Sequence, residues 1–102
     1  MIEYTISVID GKKKIPVIEF SDSQYDLIGE LFLAERSFLS KIKKFLKDEN
    51  KTEFTANVFS ITKAGEEIQL ENDITEQEIT VGKDDFTLLL NAYYNEYKKL
   101  KK

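Results

Sequence analysis

Carboxylates supply most of the chemistry this sequence has to offer. Glu66, Glu67, Glu71, Asp73, Glu76 and Glu78 fall within thirteen residues, and Asp84 and Asp85 follow shortly after. Oxygen ligands at that density suit a hard cation such as Mg²⁺ or Ca²⁺. The spacing of a calcium-binding loop is absent, however, and Glu71-Asn72-Asp73 is only a fragment of one. No metal and no cofactor is therefore expected. The better use of these acids is electrostatic. From Ala64 to Tyr97 nine acids stand against one lysine, Lys83, a local charge of −8. A surface of that kind attracts a basic protein and speeds its association. The plainer alternative is a solvated hairpin edge.

The lysines form a second set. Arg36, Lys41, Lys43, Lys44, Lys47 and Lys51 stand against Asp48 and Glu49 between Arg36 and Lys51, a local charge of +4. A basic stripe is what phosphate contacts require. The net charge of −4, a single Arg and no pattern of exposed aromatics for base stacking argue against nucleic acid. A helix end complementing its own dipole explains the lysines as well. Lys12-Lys13-Lys14 follow Gly11, but the phosphate-loop spacing is missing, so they read as a soluble turn. Tyr93, Tyr94 and Tyr97 complete the candidates. Tyr is enriched at interfaces, and Tyr94, lying off the centre of its apolar stripe, is the aromatic expected to touch a partner.

What is missing narrows the function further. The 102 residues contain no His, no Cys and no Trp, which removes the usual general base, the reactive thiol and the soft metal ligands. No catalytic residue is assigned. The hydrophobic fraction of 41% is too high for a disordered chain and sufficient for one core, so residues 1–102 are read as a single domain. The lack of Cys fits a reducing compartment. No apolar run approaches the roughly 18–20 residues that span a bilayer, and Met1 to Thr5 lacks a signal-peptide layout. The expectation is a cytoplasmic protein without membrane contact.

These residues must be positioned by a small set of elements. Ile2, Tyr4, Ile6 and Val8 alternate with Glu3, Thr5 and Ser7, the period of a half-buried strand. Asp10-Gly11 marks a turn in which Gly11 would take a positive φ, and Ile15 to Phe20 returns. Pro16 cannot donate to a ladder, so it belongs at a strand start or an edge. Ser21-Asp22-Ser23-Gln24 fits a capping box with Ser21 at the cap. From there to Lys47 an apolar stripe implies a long helix. At about 1.5 Å per residue its 26 residues would make a rod of about 39 Å, so it either breaks near Arg36-Ser37 or projects from the domain.

Phe54 to Thr62 reads as one strand and Glu67 to Leu70 as its partner. Residues 71–82 fit either a capped helical turn at Thr75 or a short strand at Ile79-Thr80-Val81. Asp84-Asp85 open a final helix with the stripe Phe86, Leu89, Leu90, Tyr93, Tyr97 and Leu100. The pattern predicts an α+β fold of order β-β-α-β-β-α. A small antiparallel sheet made from two hairpins would carry the long helix and the C-terminal helix on one face.

The function expected from this is binding without catalysis. The chain reads as a protein-binding, inhibitor or accessory protein, the class that includes immunity proteins and phage-encoded inhibitors. A nucleic-acid-associated protein using the basic half of the first helix is the alternative, and a small-molecule or metal-binding enzyme is a second. Monomer and homodimer are both compatible with the sequence.

Overall fold

The fold was obtained as a computed structural model, which describes residues 2–100. Met1, Lys101 and Lys102 lie outside the described residues. In chain order the elements are β1 (Tyr4–Asp10), β2 (Lys14–Phe20), α1 (Asp26–Ala34), α2 (Leu39–Lys47), β3 (Glu53–Thr55), β4 (Phe59–Ala64), β5 (Glu67–Asn72), β6 (Glu78–Gly82) and α3 (Lys83–Leu100). The α+β order read from the pattern holds. The strands divide between two antiparallel sheets: β1-β2 stands alone, and β3-β4-β5-β6 forms the other. Helices α1 and α3 touch both β2 and β5, and α2 packs beside α3.

The core follows from the alternation. Phe59 and Ile61 on β4, Ile68 and Leu70 on β5 and Val81 on β6 turn inward and are buried. They meet Ile28, Leu31 and Phe32 of α1, Leu39 and Ile42 of α2, and Phe86, Leu90 and Tyr93 of α3 in one hydrophobic cluster. Rings make part of the contact, with the Phe32 centroid 6.0 Å from Phe86 and 5.2 Å from Tyr93.

The long helix is broken. Glu35, at φ −112° and ψ 36°, leaves helical geometry, and a single 3₁₀ turn (Arg36–Phe38) leads into α2. A straight rod would run the full 38 Å of the longest dimension and leave its second half uncovered. The bend instead buries Leu39, Ile42, Phe45 and Leu46. Glu35 marks the reason: it is buried, and its carboxylate accepts the Val58 N–H at 3.0 Å. The helix gives way to a tertiary contact.

Other local expectations shift. The N-terminal cap is Asp22, whose side chain accepts the Gln24 N–H at 3.0 Å, and it opens a 3₁₀ turn (Ser23–Tyr25) ahead of α1. These bonds from Gln24, backbone first and then side chain, hold the Asp22 carboxyl below its ordinary pKa. Gly11 is not in the left-handed region, because the reversal is spread over three residues between Asp10 and Lys14. Positive φ occurs instead at Gly65 and Glu76, both at 63°. The expected strand 54–62 is two strands separated by a turn at Ala56 to Val58, where the Ala56 N–H reaches the Phe59 carbonyl at 2.9 Å. Residues 78–82 are a strand, and the preceding turn is tied by Asn72, whose Oδ1 accepts the N–H groups of Ile74 and Thr75.

Candidate functional site

Cross-strand register assembles the carboxylates. On the four-stranded sheet the residues facing away from the core form rows: Thr55, Ser60, Glu71 and Glu78 in one, Glu53, Thr62, Gln69 and Thr80 in the next, and Ala64, Glu67 and Gly82 in the third. This outer face holds four glutamates, Glu53, Glu67, Glu71 and Glu78, and no Lys or Arg. Glu71 and Glu78 lie directly opposite one another. Like charges so placed are destabilising. Gln69 Nε2 donates to Glu78 at 3.2 Å. Ser60 Oγ lies 2.9 Å from both carboxylate oxygens of Asp73 and holds that group at the end of the first row.

The other expected acids sit at the ends of this face. Glu66 occupies the β4–β5 turn, and its carbonyl accepts the Lys83 N–H at 2.8 Å, which brings it beside Asp84 and Asp85 in the first turn of α3. Two acids at a helix N-terminus also complement its dipole. Glu76 is at the opposite end, in the β5–β6 turn. Glu53 had no place in the sequence-predicted set. Its signal was the alternation Glu53-Phe54-Thr55, readable only once β3 is separated from β4. No group of three or more His, Cys, Asp or Glu side chains is arranged to hold a metal ion among the described residues.

Tyr94 lies elsewhere. It is half-buried on α3, with Lys43 Nζ 5.2 Å and Lys98 Nζ 4.8 Å from its ring centroid and the Tyr97 ring 6.4 Å away. Ammonium groups within about 6 Å of a ring face are attracted to its π cloud. The ring is engaged with cations rather than joined to the acidic face. Tyr93 is fully buried, and its hydroxyl donates to the Pro16 carbonyl at 2.7 Å. Burial pushes its pKa up to about 12.

The basic residues split across α2. Arg36 turns back to the helix it follows, donating to the Leu33 carbonyl at 2.6 Å. Lys43 and Lys47 line a hollow against Leu46, Thr87, Leu90 and Asn91 at the seam of α2 and α3. Lys41 and Lys44, with Lys51, Asp48, Phe45 and Phe54, line another of about 210 Å³. Lys63 Nζ sits 4.4 Å from the Phe45 centroid and donates to the Asp48 carbonyl at 2.6 Å. Desolvation and the nearby Lys83 lower its pKa. Phe54 reaches this lysine cluster from β3, a juxtaposition that the sequence conceals. Neither of these two hollows brings two carboxylates and a lysine together.

No helix among the described residues is long and apolar enough to cross a membrane. The chain matches no family model, no curated protein and no solved structure.

Proposed function

We propose that this is a non-catalytic binding protein, of the inhibitor or accessory kind, that engages a basic protein through the outer face of its four-stranded sheet. One observation carries the reading: four glutamates share an open β-face without a cation, and Glu71 opposes Glu78 across the ladder. A face selected for stability alone would place opposite or neutral residues at such a pair. Held together, these charges create a field that steers a basic surface and is screened by salt. The absence of His and Cys from the sequence supports binding over catalysis. A reducing, cytoplasmic setting belongs to the same proposal.

The test uses two baits from the native host. Wild-type protein and a Glu67→Gln/Glu71→Gln/Glu78→Gln variant are compared by affinity capture and mass spectrometry, followed by association kinetics with the recovered partner. The expected partner is basic, associates more slowly as salt rises, and is lost from the triple variant. Equal recovery on both baits, or a salt-independent association rate, would sink the reading.

A second reading is favoured by the position of Phe54. An aromatic ring beside Lys41, Lys44 and Lys51 is the combination on which single-stranded nucleic acid stacks and neutralises its phosphates. Fluorescence anisotropy with a labelled single-stranded oligonucleotide checks it. Binding that Lys44→Gln and Phe54→Ser both weaken supports this reading, and no binding at low salt removes it.

A further inference from the structure

The first hairpin carries an open strand edge whose geometry can be worked out from three contacts. The Ser21 N–H donates to the Glu3 carbonyl at 3.2 Å, which makes Glu3 and Ser21 a hydrogen-bonded pair in register with the ladder. Bonded and non-bonded pairs alternate in an antiparallel ladder. Thr5–Glu19, Ser7–Val17 and Ile9–Ile15 are therefore bonded, whereas Tyr4–Phe20, Ile6–Ile18 and Val8–Pro16 are not. On β2 this turns the carbonyls of Pro16 and Ile18 away from β1. There Tyr93 takes the first at 2.7 Å, and a Cβ added to Gly29 would lie 3.2 Å from the second. Pro16 is accommodated because its missing N–H lies outside the ladder.

The same parity has a different result on β1. The N–H and C=O groups of Tyr4, Ile6 and Val8 point away from β2, and no element of the described residues lies along that side to take them. Their side chains share the inner face with Pro16 and Ile18, yet Tyr4 is 40% and Val8 44% exposed. Natural edge strands are guarded by Lys, Pro, bulges or inward charges. Tyr4-Thr5-Ile6-Ser7-Val8-Ile9 has none of these.

We propose that β1 pairs with β1 of a second copy of this chain, antiparallel, with Ile6 on the twofold axis. That register is self-complementary. Tyr4 faces the partner's Val8, Ile6 faces the partner's Ile6, and each of these pairs exchanges two main-chain hydrogen bonds. The inner-face side chains left exposed in one copy cover those of the other. On the outer face Thr5 meets the partner's Ser7, a favourable cross-strand pair. Charge selects the direction. The turn end of the hairpin carries Lys12, Lys13 and Lys14 against one acid, Asp10, whereas its open end carries Glu3, Glu19 and Asp22. Antiparallel addition sets each lysine turn beside the partner's acidic end, and parallel addition would stack like on like. The dimer uses none of the residues on the outer face of the four-stranded sheet, so it is tested independently of the proposed function.

Light scattering over a hundredfold range of concentration reads the state directly. The expected wild-type mass is twice 11.9 kDa at the upper end. Val8→Lys should give 11.9 kDa with an unchanged far-ultraviolet spectrum. The cysteine-free chain permits a second readout that survives any folding defect of that variant. Facing residues of a bonded pair have Cα atoms about 5.5 Å apart, within disulfide range. Ile6→Cys should therefore cross-link to its own copy under mild oxidation, and Thr5→Cys should not. A monomer at every concentration overturns the proposal, as does a dimer that Val8→Lys leaves intact or that Ile6→Cys fails to link. If the Ile6 and Val8 amides gain exchange protection only when another protein is bound, the edge belongs to that partner instead.

Discussion

The two hairpins β1–β2 and β4–β5 are built from the same kind of pattern and end in different states. β1, β4 and β5 largely alternate apolar and polar residues, β2 carries the apolar run Ile15-Pro16-Val17-Ile18, and each hairpin closes through a short, polar turn. In β4–β5 the inward residues Phe59, Ile61, Ile68 and Leu70 are at most 1% exposed, and β3 and β6 close both edges. In β1–β2 only Pro16 and Ile18 are buried, and the first strand is largely open. Alternation states which face of a strand is apolar. It does not state whether anything covers that face. Covering is decided by the helices: α1 and α3 lie over β5 and meet the first hairpin mainly through β2.

The largest expected effect tests this contrast. Leu70→Ala opens a void in the shared core and should lower unfolding stability by about 2–5 kcal/mol. Val8, on the inner face of the first hairpin, is 44% exposed, and in dilute, monomeric protein Val8→Ala should change stability by no more than about 0.5 kcal/mol. Urea denaturation followed by circular dichroism measures both. Comparable losses would mean that the first hairpin is covered in solution.

Next in size is the contact that breaks the helix. Glu35→Ala removes the acceptor of the Val58 N–H and leaves that donor without a partner, a loss of about 1–3 kcal/mol. Glu35 Oε1 is buried without a hydrogen bond. Glu35→Gln, which keeps an acceptor for Val58 and removes the buried charge, should lose much less. If the two variants are equally damaged, the charge matters more than the bond.

The features that were legible before the structure are those carried by local pattern. The α3 stripe from Phe86 to Tyr93, the first hairpin and the acidic stretch all follow from period and composition. What escaped was set by distant residues. Ala56 to Val58 contains neither Gly nor Pro, and Asn57 alone is a weak local signal for separating β3 from β4. The turn exists because Val58 is taken by Glu35 across 23 positions. The helix break has the same origin, and its place near Arg36-Ser37 followed only from the length of the rod. Glu53 joins the acidic face through its register with Thr62, and Phe54 joins the lysines of α2 through the fold alone. Parity in the first ladder was half visible: Pro16 had to avoid a ladder bond, but which groups it turned toward required Tyr93.

Tyr93 is also the clearest tie between the first hairpin and the helices. Tyr93→Phe should cost about 1 kcal/mol, since a single buried hydrogen bond to the Pro16 carbonyl is lost while packing is kept. The pH dependence has a definite sign. The folded-state pKa is raised to about 12 from the ordinary tyrosine value of 10.0, so folding favours the protonated phenol. Its contribution is complete below pH 10 and declines as pH rises through 12. The Phe variant should lack this component of the alkaline decline. An identical alkaline limb in both proteins would assign the effect to other groups.

The smallest effect bears on function as well as stability. Glu78→Lys replaces a like-charge pair with an opposite-charge pair facing Glu71, at the cost of the hydrogen bond from Gln69. Cross-strand pairs contribute roughly 0.2–1 kcal/mol, so the variant should be slightly more stable than the natural chain at low salt. The gain should shrink as salt screens the pair. The same change puts a cation on the acidic face beside Glu71 and should slow association with a basic partner. A more stable protein that binds less well is the signature of a surface shaped for recognition. A less stable one, or one whose binding is unchanged, would mean that the opposed glutamates serve the fold in a way the register does not reveal.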